Sequence, residues 1–126
     1  SDVKALLITH SRTISKKIQK ELLSLGFQVI TERDPFMALA SIVRLKPGLV
    51  IASEELDGLN GINLLRAIMA ITSTQDIPVL LLSSFSREIL YDRGLPTDVP
   101  VIGLGSRLSD ELAMSLTSLE YRWGAS

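Results

Sequence analysis

Short apolar runs alternate along this chain with stretches whose apolar residues recur every three or four positions. Runs of strand length that are apolar on both faces fit strands covered on both sides, and the intervening periodicity fits amphipathic helices. Five repeats of that alternation predict βα units around a parallel sheet. The first strand is Ala5-Leu6-Leu7-Ile8, followed by a helix with Ile14, Ile18, Leu22 and Leu25 on one face and a stop at Gly26, whose missing Cβ suits a left-handed cap. The β-branched Val29-Ile30-Thr31 form the second strand. Asp34-Pro35 opens the next helix, an acceptor at the cap and a preset φ in the first turn, with Phe36, Leu39, Ala40 and Val43 turned inward and Pro47-Gly48 ending the segment.

The third strand runs from Leu49 to Ser53, and the helix after its loop carries Ile62, Leu65, Ile68 and Met69 on the inner stripe. Ile77 to Leu82 is the fourth strand, Arg87 to Arg93 a short helix before the Gly94-Leu95-Pro96 break, and Val99 to Leu104 the fifth strand. Ser109 is the expected cap of the last helix, with Asp110 and Glu111 in its first turn, where the dipole favours anions, and Leu112, Leu116, Leu119 and Trp123 as its core stripe. Strands this apolar need helices on both faces, and right-handed crossovers then favour a doubly wound sheet of order 2-1-3-4-5. Ligands of such sheets sit beyond the carboxyl ends of the strands where the winding reverses, which singles out Thr9, His10 and Ser53, with Ser83 and Gly105 beside them.

Composition narrows the classes. The 126 residues, 46% hydrophobic and 21% charged, suit one domain over 1–126 with its core at about 4–123; Ser1 to Val3 and Gly124 to Ser126 read as ragged ends. Thirteen basic residues stand against fourteen acidic ones with no long basic run, so the electrostatic footprint of a nucleic-acid binder is missing. Apolar stretches such as Val79-Leu80-Leu81-Leu82 are too short to span a bilayer, and no signal-peptide pattern opens the chain, so neither membrane nor nucleic acid is an expected partner. The absence of cysteine removes disulfides and zinc-thiolate sites and suits a reducing compartment; the cytoplasm is the expected location.

In layout the chain resembles the receiver domains of two-component response regulators, from Ala5 to about Leu119. Lys46-Pro47-Gly48-Leu49-Val50-Ile51-Ala52-Ser53 stands where that family runs into its phospho-accepting aspartate, Asp57-Gly58-Leu59-Asn60-Gly61-Ile62 where it has a Pro-Gly-Met-Asp-Gly turn, and Ile77 to Ser84 where a strand ends in a hydroxyl residue and a small one. The separations are similar too: 43 positions from His10 to Ser53, 30 from Ser53 to Ser83 and 22 from Ser83 to Gly105. The resemblance implies an α/β fold, a flavodoxin-like doubly wound (βα)5 sandwich, and a role in signal transduction.

It also implies a degenerate phosphorylation site. The positions that correspond to the family's acidic pair are Thr9 and His10, its aspartate is Ser53, its lysine is Gly105 and its switch aromatic is Ile102; only Ser83 keeps its type. A hard divalent cation wants carboxylate oxygens, and a serine hydroxyl needs an activating base and cannot form an acyl phosphate. A pseudo-receiver is therefore expected, with no catalytic residue, no metal and no cofactor. It is expected to act on an effector domain or partner signalling protein, or to form a homodimer through the fourth helix, fifth strand and fifth helix. Arg87, Glu88 and Tyr91, with Arg107, Glu120 and Arg122, are the candidate partner face. Lacking an output motif, the chain reads as a stand-alone adaptor or a piece of a longer regulator.

Two other classes stay open on the residues. Ser53 and His10 end adjacent strands, so a small hydrolase or phosphate-ester enzyme with Glu54 or Glu55 as orienting acid is conceivable, although no nucleophile-elbow glycines flank Ser53. A small-ligand sensor using the emptied pocket is the other. Gly103-Leu104-Gly105-Ser106 superficially resembles a phosphate-cradling loop, but Leu108 replaces the third glycine and turn geometry accounts for it better. Glu54, Glu55 and Asp57 read as a solvated acidic loop.

Overall fold

The structure, a computed structural model, describes residues 3–124; the outermost residues of both expected ragged ends lie outside them. Five strands, β1 (Lys4–Ile8), β2 (Gln28–Glu32), β3 (Leu49–Ser53), β4 (Val79–Leu82) and β5 (Val101–Ile102), form one sheet of order β2-β1-β3-β4-β5. Every pairing is parallel. The helices between them are α1 (Arg12–Ser24), α2 (Pro35–Leu45), α3 (Gly61–Ala70), α4 (Arg87–Asp92) and α5 (Leu108–Leu119), and a 3-10 turn over Glu120–Trp123 closes the described chain. No helix among the described residues is long and apolar enough to cross a membrane.

Strand alternation sorts the core into two layers. Leu6, Ile8, Val50, Ala52 and Leu81 pack with α2, α3 and α4 on one face, while Ala5, Leu7, Leu49, Ile51, Leu80, Leu82 and Ile102 pack with α1 and α5 on the other. All five residues of β3 are buried, as expected of a central strand covered on both sides. Asp34 caps α2 by accepting the Phe36 and Met37 amides, with Pro35 in the first turn. Gly26 takes φ 92° after α1, the left-handed stop its sequence position predicts.

Several finer expectations are corrected. The inner stripe of α2 is Pro35, Ala38 and Ile42, whereas Phe36, Val43 and Ala40 are exposed and Leu39 is half-buried. Residues 35–43 of this helix include no charged side chain, so the pattern carried no phase, and burial of the proline at its start set it. Leu25 is exposed because α1 ends at Ser24; Phe27, two residues on, is buried instead, its amide bonded to the Leu22 carbonyl. Leu108, buried against the sheet, rather than Ser109, begins α5, and Arg107 precedes it with no side-chain cap bond. β4 and β5 start late, after Pro78 and Pro100, whose carbonyls accept from Val50 and Leu81 but which have no N–H to extend the ladder. Trp123 leaves the α5 stripe for the 3-10 turn, where its indole N–H donates to the Gly48 carbonyl at 2.8 Å and its ring meets Phe27 edge to face at 5.2 Å.

Candidate functional site

Parallel register brings the carboxyl ends of β1, β3 and β4 level, pairing Ile8 with Ala52 and Ser53 with Leu82. Three hydroxyl residues end up on that rim. Thr9 continues β1 by donating its amide to the Glu32 carbonyl, Ser53 is the last residue of β3, and Ser83 continues β4 by donating to Ile102. All three are buried, at 5%, 6% and 3% exposure. They border a cleft of about 580 Å³ that His10, Ser11, Asn60 and Leu104 also line.

The loop from β3 to α3 is fixed by its backbone. The Glu54 amide donates to the Leu82 carbonyl at 2.9 Å, adding one rung to the sheet, and the Gly61 amide donates back to the Glu54 carbonyl at 2.9 Å. Gly58 turns the loop at φ +90°, and a Cβ at Gly61 would lie 2.0 Å from the Ser53 carbonyl oxygen. Glycine is therefore required where α3 meets β3. Asn60 caps α3 by accepting the Asn63 amide.

That loop aims the Glu54 carboxylate across the rim. One oxygen accepts from the Ser83 hydroxyl at 3.3 Å and the other pairs with Arg93 Nη1 at 2.6 Å. Arg93, the residue after α4, also stacks on the Phe85 ring at 4.3 Å. The Glu54 side chain is only 12% exposed, but that of Arg93 is 47% exposed, so solvent screens the pair and its coupling is modest. A double-mutant cycle with Glu54→Gln and Arg93→Met is expected to give about 0.5–1 kcal/mol in denaturant unfolding. Zero coupling would mean that this contact does not tie α4 to the β3 rim.

The rim residues differ sharply in how they are satisfied. Thr9 Oγ1 accepts the Ser11 amide at 3.2 Å, and Ser83 Oγ accepts the Phe85 amide at 3.1 Å. Ser53 Oγ, sealed from solvent, has no hydrogen-bond partner among the described residues. His10 is exposed at the lip of the cleft, so the Ser–His hydrogen bond that a hydrolase needs is not assembled. No group of three His, Cys, Asp or Glu side chains among the described residues is arranged to hold a metal. With Glu54 committed to Arg93 and Ser83, the donor set at this rim does not fit a magnesium ion, which wants several hard oxygens.

The neighbouring positions follow the same logic. Gly105 is exposed with open space around it, and Ile102 is fully buried in the α1–α5 layer. The Gly103 amide donates to the Glu111 carboxylate at 3.0 Å, so a protein anion already occupies the turn that superficially resembled a phosphate loop. Glu55 and Asp57 are exposed, as expected of a solvated loop, but Glu54 is not. The candidate partner residues differ in exposure and surroundings. Arg87 and Glu88 are exposed on α4, Tyr91 is half-buried against the core, and Arg107 is exposed before α5. Glu120 borders a small hollow with Val3, Leu25 and Phe27, and Arg122 donates to the Asp76 carbonyl at the opposite end of the sheet.

No protein-family model matches the sequence, and no curated protein matches it. Solved structures do match. The chemotaxis response regulator CheY4 of Vibrio cholerae superposes with a TM-score of 0.80 at 18% identity, over 94% of this chain and 99% of that one. The signal receiver domain of a signal transduction histidine kinase from Syntrophus aciditrophicus gives 0.84 at 21% identity, over 98% and 94%. The receiver domain of a sensor histidine kinase from Pseudomonas aeruginosa, described with a magnesium ion coordinated in its active-site cleft, gives 0.82 at 19% identity, over 94% and 97%. The fold is that of a receiver domain. Within this receiver fold Arg93 and the bonded role of Glu54 escaped sequence reasoning, since nothing local links residues 39 positions apart.

Proposed function

We propose that this receiver-fold chain is a signal-transduction module that takes up no phosphoryl group by the aspartyl route and acts through protein contacts. The reading rests on one observation: Thr9, Ser53 and Ser83 are buried hydroxyls at the rim, and the carboxylate nearest them, Glu54, is paired with Arg93. Ser53, at the acceptor position, is an alcohol with no base bonded to it and so a poor phosphoryl acceptor, and a rim without a free carboxylate pair gathers no divalent cation to neutralise the donor. On this reading the protein is not an enzyme and works in the cytoplasm.

An effector domain or a partner signalling protein is the proposed counterpart, with a second copy through α4, β5 and α5 as the alternative assembly. The exposed Phe85 and Ile89 on and before α4 support a contact role for that side, because exposed apolar side chains are what such surfaces bury. Adding beryllofluoride or acetyl phosphate with magnesium is expected to leave the amide NMR spectrum unchanged. Chemical-shift changes centred on Ser53, or a covalent phospho-adduct by mass, would overturn the proposal.

A further inference from the structure

Helix α2 carries an apolar stripe on its solvent face. It buries Pro35, Ala38 and Ile42 and leaves Phe36, Met37 and Val43 at 59%, 59% and 38% exposure. The outer face of a surface helix is ordinarily charged or polar, yet no charged residue occurs from 35 to 43. Steps of three and four residues put Phe36, exposed Ala40 and Val43 in one row and Met37, Ala40 and Arg44 in the next, so the exposed positions are contiguous. Single exposed apolar side chains are ordinary, whereas contiguous ones mark contact surfaces. Three of the eight large apolar side chains exposed among the described residues stand on this one helix.

The charges around the stripe say what covers it. A Cβ at Gly58 would lie 3.2 Å from the Phe36 ring, so the loop after β3 stands beside the start of α2. Residues 32–34 and 55–57 at that end hold Glu32, Asp34, Glu55 and Asp57 against one cation, Arg33. The other end is basic: residues 41–49 hold Arg44 and Lys46 and no acidic residue. Asp57, Arg44 and Lys46 are exposed, and none of them makes an ion pair among the described residues. A surface that is acidic at one end, apolar along its length and basic at the other is complementary to its own copy turned end for end. A parallel copy would set Arg44 against Arg44.

We propose that two copies of this chain pair through α2, antiparallel about a two-fold axis beside Ala40. Position 36 then lies level with position 43 of the second copy, so Phe36 covers Val43, and Met37 lies on the aliphatic stem of Arg44. The small side chain of Ala40 lets the two helices approach closely at the crossing. Arg44 and Lys46 of each copy reach the end where the other copy holds Asp34 and Asp57. One helix against its copy is smaller than the roughly 1,600 Å² of a stable complex, so the dimer is weak, with a Kd on the order of 100 μM. The contact leaves the rim, α4, β5 and α5 uncovered. It therefore stands apart from the signalling reading, and the beryllofluoride experiment and the following one fail separately.

Sedimentation equilibrium of the full chain between about 10 μM and 1 mM reads the pairing as mass action. The average mass should climb from that of one chain toward that of two. Ala40→Glu sets two carboxylates face to face at the axis and should leave a monomer throughout; the site is exposed and glutamate is a good helix former, so the variant should melt with the parent. Ile89→Glu, on α4, should pair as the parent does. Charge exchange gives the sharper reading. Asp57→Lys alone and the double variant Arg44→Glu, Lys46→Glu alone should each weaken self-association about tenfold, because the symmetry axis repeats every repulsion. Mixed in equal amounts, the two should pair at least as tightly as the parent, since both ends of the mixed dimer again join opposite charges. A chain that stays monomeric at 1 mM, an Ala40→Glu protein that still pairs, loss of pairing in Ile89→Glu, or a mixture no tighter than its components would each overturn the proposal; the third would move the contact to α4.

Discussion

Gly61→Ala is expected to lower stability by about 3 kcal/mol, at the upper end of the usual overpacking range. Its Cβ would sit 2.0 Å from the Ser53 carbonyl oxygen, 2.8 Å from the Ser53 carbonyl carbon and 2.9 Å from Glu54 Cα. All three are backbone atoms, so no side chain can swing away; either α3 or the end of β3 must move. Both are anchored, since the Gly61 amide donates to the Glu54 carbonyl and the Glu54 amide donates to Leu82. For a domain of this size that cost corresponds to a fall in Tm of roughly 10 °C. Gly105→Ala is the matched control. Its Cβ would meet nothing within 4 Å and its φ is not positive, so the smaller entropy of its unfolded chain should leave Tm unchanged or raise it slightly. A Gly61→Ala protein that melts with the parent would show that the junction between β3 and α3 is not rigid, and the buried placement of Ser53 would lose its basis.

The contrast between those two glycines shows where the sequence speaks and where it is silent. Strand identity was legible because the interior strands are apolar at successive positions: Leu49 to Ser53 was read as one strand and all five residues are buried. Strand ends then placed Thr9, Ser53 and Ser83 on one rim, since a parallel sheet must bring its carboxyl ends together. Helix phase was legible only where polar residues mark an outer face. In α1, Arg12, Lys16, Lys17 and Lys20 mark the exposed side and Ile18 and Leu22 are buried as read; in α2, the uncharged run before Arg44 gave no such mark, and Phe36, Ala40 and Val43 were turned the wrong way.

The Glu54 carboxylate illustrates a different limit. A run of Glu54, Glu55 and Asp57 looks like a solvated acidic loop because local charge density is all that sequence displays. What separates Glu54 from its neighbours is tertiary. Its amide is the last rung of the β3–β4 ladder, which sets its side chain toward Ser83, and the end of α4 delivers Arg93 from 39 positions away. Neither position carries a local signal of that pairing, and the aromatic support of Arg93 by Phe85 depends on the turn that precedes α4.

On the proposed reading, supplying carboxylates and a lysine at the rim should create phosphoryl uptake, and supplying them in part should not. Ser53→Asp alone places a carboxylate where the serine is 6% exposed and next to Glu54 and Glu55. Desolvation and like charge would raise the pKa of the new acid, and the variant is expected to lose about 2–3 kcal/mol of stability and to remain inert to acetyl phosphate. Adding Thr9→Asp, His10→Asp and Gly105→Lys supplies the hard oxygens a magnesium ion needs and an ammonium beside the acceptor. The lysine has room, because the space around Gly105 is open. The fourfold variant should be weakly stable without metal, since its carboxylates repel, and should gain about 2.7 kcal/mol at a magnesium concentration a hundred times its Kd. The parent should show no magnesium-dependent Tm. Acetyl phosphate with magnesium should then add one phosphoryl group to the variant by mass and move the Ser83 amide as its hydroxyl leaves Glu54. If the variant folds but neither magnesium nor acetyl phosphate acts on it, the inertness of the parent must come from the loop geometry held by Glu54 and Arg93 rather than from the four replaced side chains.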